Sequence, residues 1–197
     1  MTDLEERVVE DAVRDGELIR VPEFVELAER AHADERGVER ERVWAYAEAV
    51  SDRPEVEFDP GTFRERVRER ATDADAWLDD EAVYAIGDRR LSRYPARWHE
   101  DLGGSDDVAA YVAYLAETDA AFVNDPSAVE AGPKVPQQRL IAVMAAVGTV
   151  DRDEARAALA DAREAGEVVQ DVDQHPNAGV YLPSESGDVD GGPANPN

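Results

Sequence analysis

Residues 136–182 read PQQRLIAVMAAVGTVDRDEARAALADAREAGEVVQDVDQHPNAGVYL. Leu140, Ile141, Val143, Met144 and Val147 recur at helical spacing, and Gly148 stops the run. Thr149 and Val150 cross to Asp151, where Asp-Arg-Asp-Glu154 has the form of a capping box with Asp as the cap. A second helix then presents Ala155, Ala158, Leu159 and Ala162 on one face and ends at Gly166. Glu167–Val172 and Gly179–Leu182 alternate as strands around a polar loop from Asp173 to Ala178. Two helices followed by a β-hairpin is therefore the expected plan of the C-terminal lobe, 136–183. Only about fifteen residues, 151–165, stand where a helix–turn–helix pair needs more. Either the two helices are fused, or 136–147 is one of the pair and the Tyr111–Leu115 stretch lends a third.

The N-terminal part repeats that plan loosely. Leu4, Val8, Val9 and Ala12 predict a first helix capped by Gly16. A short extended piece, 17–21, leads to Pro22, a residue suited to the first turn of a helix. That second helix carries Phe24, Val25, Ala28 and Ala31. After a polar break from His32 to Gly37, a third helix over about 38–50 carries Val43, Trp44, Ala47 and Val50. Pro54–Phe58 alternates like a strand before an Asp59-Pro-Gly turn. The middle segment, 61–118, contains a short helix at Phe63–Ala71 and a hairpin of 82–86 and 89–94 about Gly87-Asp88. A helical turn at 95–102 and a helix capped by Ser105, bearing Val108, Tyr111, Val112 and Leu115, complete it. Residues 119–135 read as a linker and 184–197 as a disordered Gly/Pro/Asp-rich tail.

Helix, short strand, helix, turn, helix and strand over residues 1–60, and helix, helix and hairpin over 136–183, resemble winged helix-turn-helix domains. The fold class expected is α-dominant α+β, with two small winged-helix-like lobes and a central β-hairpin and helix. The resemblance implies a DNA-associated factor, with a recognition helix at about 38–50 and the hairpins as wings. Its departures are the long break between the second and third helices and the short span of 151–165.

Charge sets the solvent. Acidic residues outnumber basic ones 46 to 21, the net charge is −25, and Lys134 is the only lysine. Carboxylate excess with arginine replacing lysine resembles cytoplasmic proteins of extremely halophilic archaea. At about 1 M salt the Debye length is ~3 Å, so diffuse fields neither recruit nor repel nucleic acid, and contact must be short-range. Hydrophobic residues make up 43% and are patterned, which argues for a folded chain rather than a disordered acidic one. Cysteine is absent, excluding disulfides, thiolate metal sites and cysteine nucleophiles. The acidic start, Met-Thr-Asp-Leu-Glu-Glu, differs from a secretory signal, and a cytoplasmic protein without a membrane partner is expected.

Chemistry-bearing patterns are sparse. His32, His99 and His175 stand in separate segments without metal-ligand spacing and read as turn or surface residues. No phosphate loop, dinucleotide fingerprint or nucleophile elbow occurs. No catalytic residue, metal or cofactor is expected. Between Gly87 and His99, four arginines (Arg89, Arg90, Arg93 and Arg97) face one acid, Asp88. Tyr84, Tyr94 and Trp98 interleave with them. Such a run either clamps phosphates and stacks bases, or is an ion-pair patch whose aromatics belong to the core. The Arg64–Arg70 helix reads as blander, because Glu65 and Glu69 alternate with its arginines. On the expected recognition helix, Arg40 and Arg42 are the candidate base or phosphate contacts. In the C-terminal lobe they are Lys134, Gln138 and Arg139 at a helix start, with His175 and Asn177 at the wing tip. The leading expectation is a non-enzymatic DNA-associated factor, a transcriptional regulator. The alternative is a protein-interaction adaptor that binds no nucleic acid. Oligomeric state stays open.

Overall fold

A computed structural model describes residues 4–16, 19–32, 35–118, 122–123, 133–171 and 178–183. The fold is α-dominant α+β. It begins with α1 (Glu6–Asp15), α2 (Val21–Ala31), β1 (Val38–Glu39), α3 (Arg40–Ser51) and α4 (Pro60–Arg70). β2 (Ala71–Thr72), β3 (Val83–Ile86), β4 (Arg90–Ser92), α5 (Ala96–Asp101) and α6 (Val108–Thr118) follow. β5 (Val135–Pro136), α7 (Gln137–Val147), α8 (Arg152–Glu164), β6 (Val169–Gln170) and β7 (Gly179–Tyr181) complete the described chain. No helix among the described residues is long and apolar enough to cross a membrane.

Two apolar cores organise these elements. The first gathers Val8, Phe24, Val43, Tyr46, Val67 and Leu91 from α1–α4 and the β3–β4 hairpin. The second gathers Trp98 from α5, Tyr111 and Leu115 from α6, Leu140 from α7, Leu159 from α8 and Val180 from β7. The first core thus runs past the boundary expected at residue 60, because α4 and the hairpin close over α2 and α3. Trp77, Tyr84 and Tyr94 belong instead with the second core. The middle segment is therefore divided between the halves. Of the two readings of the C-terminal helices, the separate one holds: α7 and α8 are distinct, and α6 shares their core.

The halves have the same element order. In the first, α2, β1, α3, α4, β3 and β4 succeed one another; in the second, α6, β5, α7, α8, β6 and β7 do. In each, the strand before the second helix pairs antiparallel with the last strand of the hairpin, Val38 with Leu91 and Val135 with Val180. The residue between strand and helix has the same backbone angles in both, φ −58° and ψ 131° at Glu39 and at Pro136. An aspartate caps the third helix of each half: Asp59 accepts from the Gly61 amide and Asp151 from the Asp153 amide. The Asp151 capping box is complete, with Glu154 reaching back to the Asp151 amide. The first half adds β2, parallel to β3.

Several expectations shift. Val38 and Glu39 form β1, so the helix expected from 38 starts at Arg40. Pro136 ends β5 and precedes α7 rather than opening the helix. Pro54–Phe58 forms no strand; Pro54 lacks an amide proton and the sheet supplies no partner there. Its alternation serves packing, since Val56 and Phe58 lie against the first core and the Phe58 ring stacks 6.0 Å from Phe24. The α6 cap is Asp107, which accepts from the Ala110 amide at 3.0 Å, while Ser105 supports the Asp107 amide. The linker and tail fall mostly outside the described residues.

Candidate functional site

Helix α3, where the recognition face was expected, is enclosed by α1, α2, α4 and β1. Arg40 and Arg42 are only half-exposed, and Arg42 Nε is buried without a hydrogen-bond partner. The outward helix of the pair is α4. Phe63 and Val67 anchor it, leaving Thr62, Glu65, Arg66, Arg68 and Glu69 exposed. Arg64 pairs with Glu48 at 2.6 Å and Arg70 with Glu81 at 2.5 Å. Among the described residues Arg66 and Arg68 make no ion pair. Sequence reasoning passed over this helix because its alternating glutamates suggested self-neutralisation. Yet α4 has no Glu–Arg pair within itself, since its paired arginines turn to other segments.

The β3–β4 tip, beside the start of α3, presents Asp88 and Arg89 to solvent. The Arg89 carbonyl accepts from the Arg40 amide at 2.8 Å, which fixes the tip to the start of α3. Arg90 is held by the Glu35 carboxylate and by the Gly37 carbonyl at 3.2 Å. Arg93 is 7% exposed, reaches Asp80 at 3.4 Å and lies 4.8 Å over the Trp77 ring. Arg97 pairs with Asp101 at 3.3 Å. The aromatics of this run form core: Trp98 and Tyr84 are fully buried and Tyr94 nearly so. Trp98 stacks on Tyr94 and Trp77 at 5.6 and 5.9 Å. Its face is therefore not offered to a base, and the run is not one clamp.

In the second half, Lys134 donates to Asp171 at 2.8 Å and sits 5.0 Å from the Tyr181 ring. Gln138 is exposed, and Arg139 binds Asp80 at 3.0 Å. His175 and Asn177 lie outside the described residues. The exposed face of α8 carries Asp153, Glu154, Asp161 and Glu164 against Arg156 and Arg163, an acidic excess, whereas the exposed charges of α4 balance, Arg66 and Arg68 against Glu65 and Glu69.

Two arrangements had no signal in the sequence. One is a cleft of about 610 Å³ between the halves, lined by Arg20, Arg93, Arg139, Arg152 and Arg156 and by the acids Glu26 and Asp80. These arginines come from distant segments, so only folding gathers them. The other is buried. Ser92 Oγ donates to Glu29 at 2.7 Å and lies 2.8 Å from His99 Nε2, while the Arg93 amide donates to the second Glu29 oxygen at 3.1 Å. His99 is thus a core residue, against its expected place at the surface.

Burial pushes the Glu29 carboxyl up to about 8, against the pull of the Ser92 hydroxyl and the Arg93 amide. Burial, helped by Arg36, pushes the His99 imidazole down to about 4. At neutral pH the contact is therefore chiefly one between a carboxylic acid and a neutral ring, not an ion pair. The serine sits between acid and imidazole, and all three side chains are shut from solvent. That order differs from a nucleophile–base–acid relay, in which the imidazole is central and the hydroxyl faces substrate. Among the described residues no cluster of histidine and carboxylates has the makings of a metal site. No protein-family profile matches this chain, and neither the curated proteins nor the solved structures searched give a match, so any functional reading rests on its own residues.

Proposed function

We propose that the protein is a DNA-associated factor, a transcriptional regulator built from two winged-helix halves and adapted to a halophilic archaeal cytoplasm. The carrying observation is the order helix, strand, helix, helix, hairpin in both halves, with β2 added in the first, and with the lone strand paired to the second strand of the hairpin. In the winged-helix arrangement the third helix enters the groove and the hairpin lies on the flanking backbone. Here those parts are α4 and the β3–β4 turn. Arg66 and Arg68 are then the base or phosphate contacts, and Arg89 is the wing contact. Chemistry plays no part in this reading.

The second half supports a different task. Exposed carboxylates along α8 oppose a phosphate backbone at contact distance. An adaptor role for that half, docking a protein partner while the first half holds DNA, fits its acid-rich face. Among the described residues Leu78 and Leu182 are the only large apolar side chains well exposed, so such docking would be polar.

Selection of duplexes from a random-sequence pool by the purified chain in about 1 M KCl tests the reading where only short-range contacts survive. Enrichment of a defined half-site is expected. Recovery of no duplex above background, with the chain folded, would leave the adaptor reading alone.

A further inference from the structure

The cleft between the halves gathers arginines in an acidic molecule. Its lining holds five arginines against two carboxylates in a chain whose net charge is −25, and Arg20 and Arg156 also pair with carboxylates outside the lining, Glu23 and Glu81 for Arg20 and Asp153 for Arg156. The arginines arrive from four places: Arg20 ahead of α2, Arg93 after β4, Arg139 on α7, and Arg152 and Arg156 on α8. Both acids are already engaged. Asp80 is shared by Arg139 at 3.0 Å and Arg93 at 3.4 Å, and Glu26 takes Arg152 at 2.9 Å. A guanidinium carries five N–H donors. Arg152 and Arg156 each use a single terminal nitrogen in the side-chain hydrogen bonds they make, and Arg152 Nε is buried with no hydrogen-bond partner. Donors therefore remain after the protein's own carboxylates are served.

We propose that this cleft binds a small, multiply charged phosphate ester of nucleotide size. In concentrated salt a ligand cannot be drawn in by a distant field, so the site must act by contact. Guanidinium forks match phosphate oxygens in geometry and bind them in pairs, which a single ammonium does not. The volume lies within the ~300–1,000 Å³ range of small-molecule pockets. Gln137 and Gln138 add amide donors and acceptors, and Trp77, Tyr94 and Phe122 supply a rigid aromatic floor. Arg93 over Trp77 and Arg139 over Phe122, the latter at 5.1 Å, fix two of the cations on that floor. The ligand is a free molecule rather than a nucleic-acid backbone, because neither α4 nor the β3–β4 turn contributes a residue to the lining. It contacts residues flanking and within α2, α7 and α8 at once, and so fastens one half to the other.

The test is calorimetric titration of the full chain in about 1 M KCl with inorganic pyrophosphate, with a nucleoside triphosphate, and with a single-stranded oligonucleotide of about 20 residues. Intrinsic tryptophan fluorescence, to which Trp77 in the cleft contributes, provides a second readout. Saturable binding of pyrophosphate and the triphosphate is expected, with no stronger response to the oligonucleotide. Arg139→Gln and Arg156→Gln should each weaken it about tenfold or more with an unchanged circular dichroism spectrum. Arg156 is exposed and, among the described residues, pairs only with Asp153 on its own helix, so its loss leaves the fold intact. Arg66→Ser/Arg68→Ser should leave this binding unchanged, which separates it from DNA contact by α4. No heat with either small probe, binding indifferent to both glutamine variants, or a response to the oligonucleotide alone would each overturn the proposal.

Discussion

Arg152, the first residue of α8, donates from Nη2 to a carboxylate oxygen of Glu26 on α2 at 2.9 Å, joining positions 126 residues apart. The pair bridges the two halves at the edge of the arginine-lined cleft. Glu26 is largely buried, its side chain 16% exposed, whereas Arg152 is 36% exposed. Solvent and salt therefore screen part of the attraction. Arg152→Met, which keeps much of the stem, is expected to lower stability by about 1 kcal/mol. A double-mutant cycle with Glu26→Gln, read by thermal unfolding at fixed KCl, should show most of that loss as coupling. Additive effects would mean that the bridge does not join the halves energetically.

The Glu29–Ser92–His99 cluster predicts how stability depends on pH. Glu29 rises from its ordinary 4.5 to about 8 in the folded chain, so its contribution is full below pH 4.5 and is lost as pH climbs to about 8. His99 falls from 6.5 to about 4, so its contribution is present above pH 6.5 and is lost as pH drops to about 4. The two oppose one another between 4.5 and 6.5. Between 6.5 and 8 Glu29 acts alone, and stability should decline as pH rises. Glu29→Gln mimics the protonated acid: its carbonyl accepts the Arg93 amide and its NH2 serves Ser92. The variant should flatten this decline and be the more stable chain at pH 8. Parallel melting-temperature profiles for the two proteins would show that Glu29 is not the titrating group.

Gly37 precedes β1 with φ at +65°, and a Cβ there would lie 2.8 Å from the Leu91 carbonyl oxygen. That carbonyl belongs to the strand with which β1 pairs. Gly37→Ala should therefore cost on the order of 1–3 kcal/mol, through left-handed backbone strain and displacement of the strand. Chemical denaturation gives the value. A neutral effect would mean that the β1–β4 pairing is not needed for stability.

The Asp151 cap makes a milder case. Asp151→Ala removes the side-chain half of the capping box at α8, leaving the Glu154 bond to the backbone amide, and about 1 kcal/mol of stability should go with it. Asp151→Asn should retain most of it in the same denaturant titration. Equal losses for the two substitutions would assign the effect to charge at the helix start rather than to the hydrogen bond.

Much of the architecture could be read from local pattern. Helices α1, α2, α7 and α8 announce themselves by apolar spacing and by Gly16, Gly148 and Asp151 at their ends. The two-residue strands β1 and β5 could not be read, because nothing in Val38-Glu39 or Val135-Pro136 records a partner some 50 residues away. The mistaken strand at 54–58 has the same root, since alternation marks a buried face without saying what covers it. His99 reads as a surface residue because an arginine-rich run looks exposed in one dimension, while α5 turns it inward together with Trp98, whose place in the core is one of the two readings of that run. Arg20, Arg152 and Arg156 sit near acids in sequence and Arg93 and Arg139 do not, and the five meet only through the packing of α2 against α7.

Fluorescence anisotropy with a selected duplex in about 1 M KCl, comparing the native chain with Arg66→Ser/Arg68→Ser, tests the outward role of α4 most directly. The account predicts that the double variant loses at least tenfold in affinity and keeps its melting temperature, while Arg97→Ser binds as the native chain does. Equal affinity for all three proteins would contradict it.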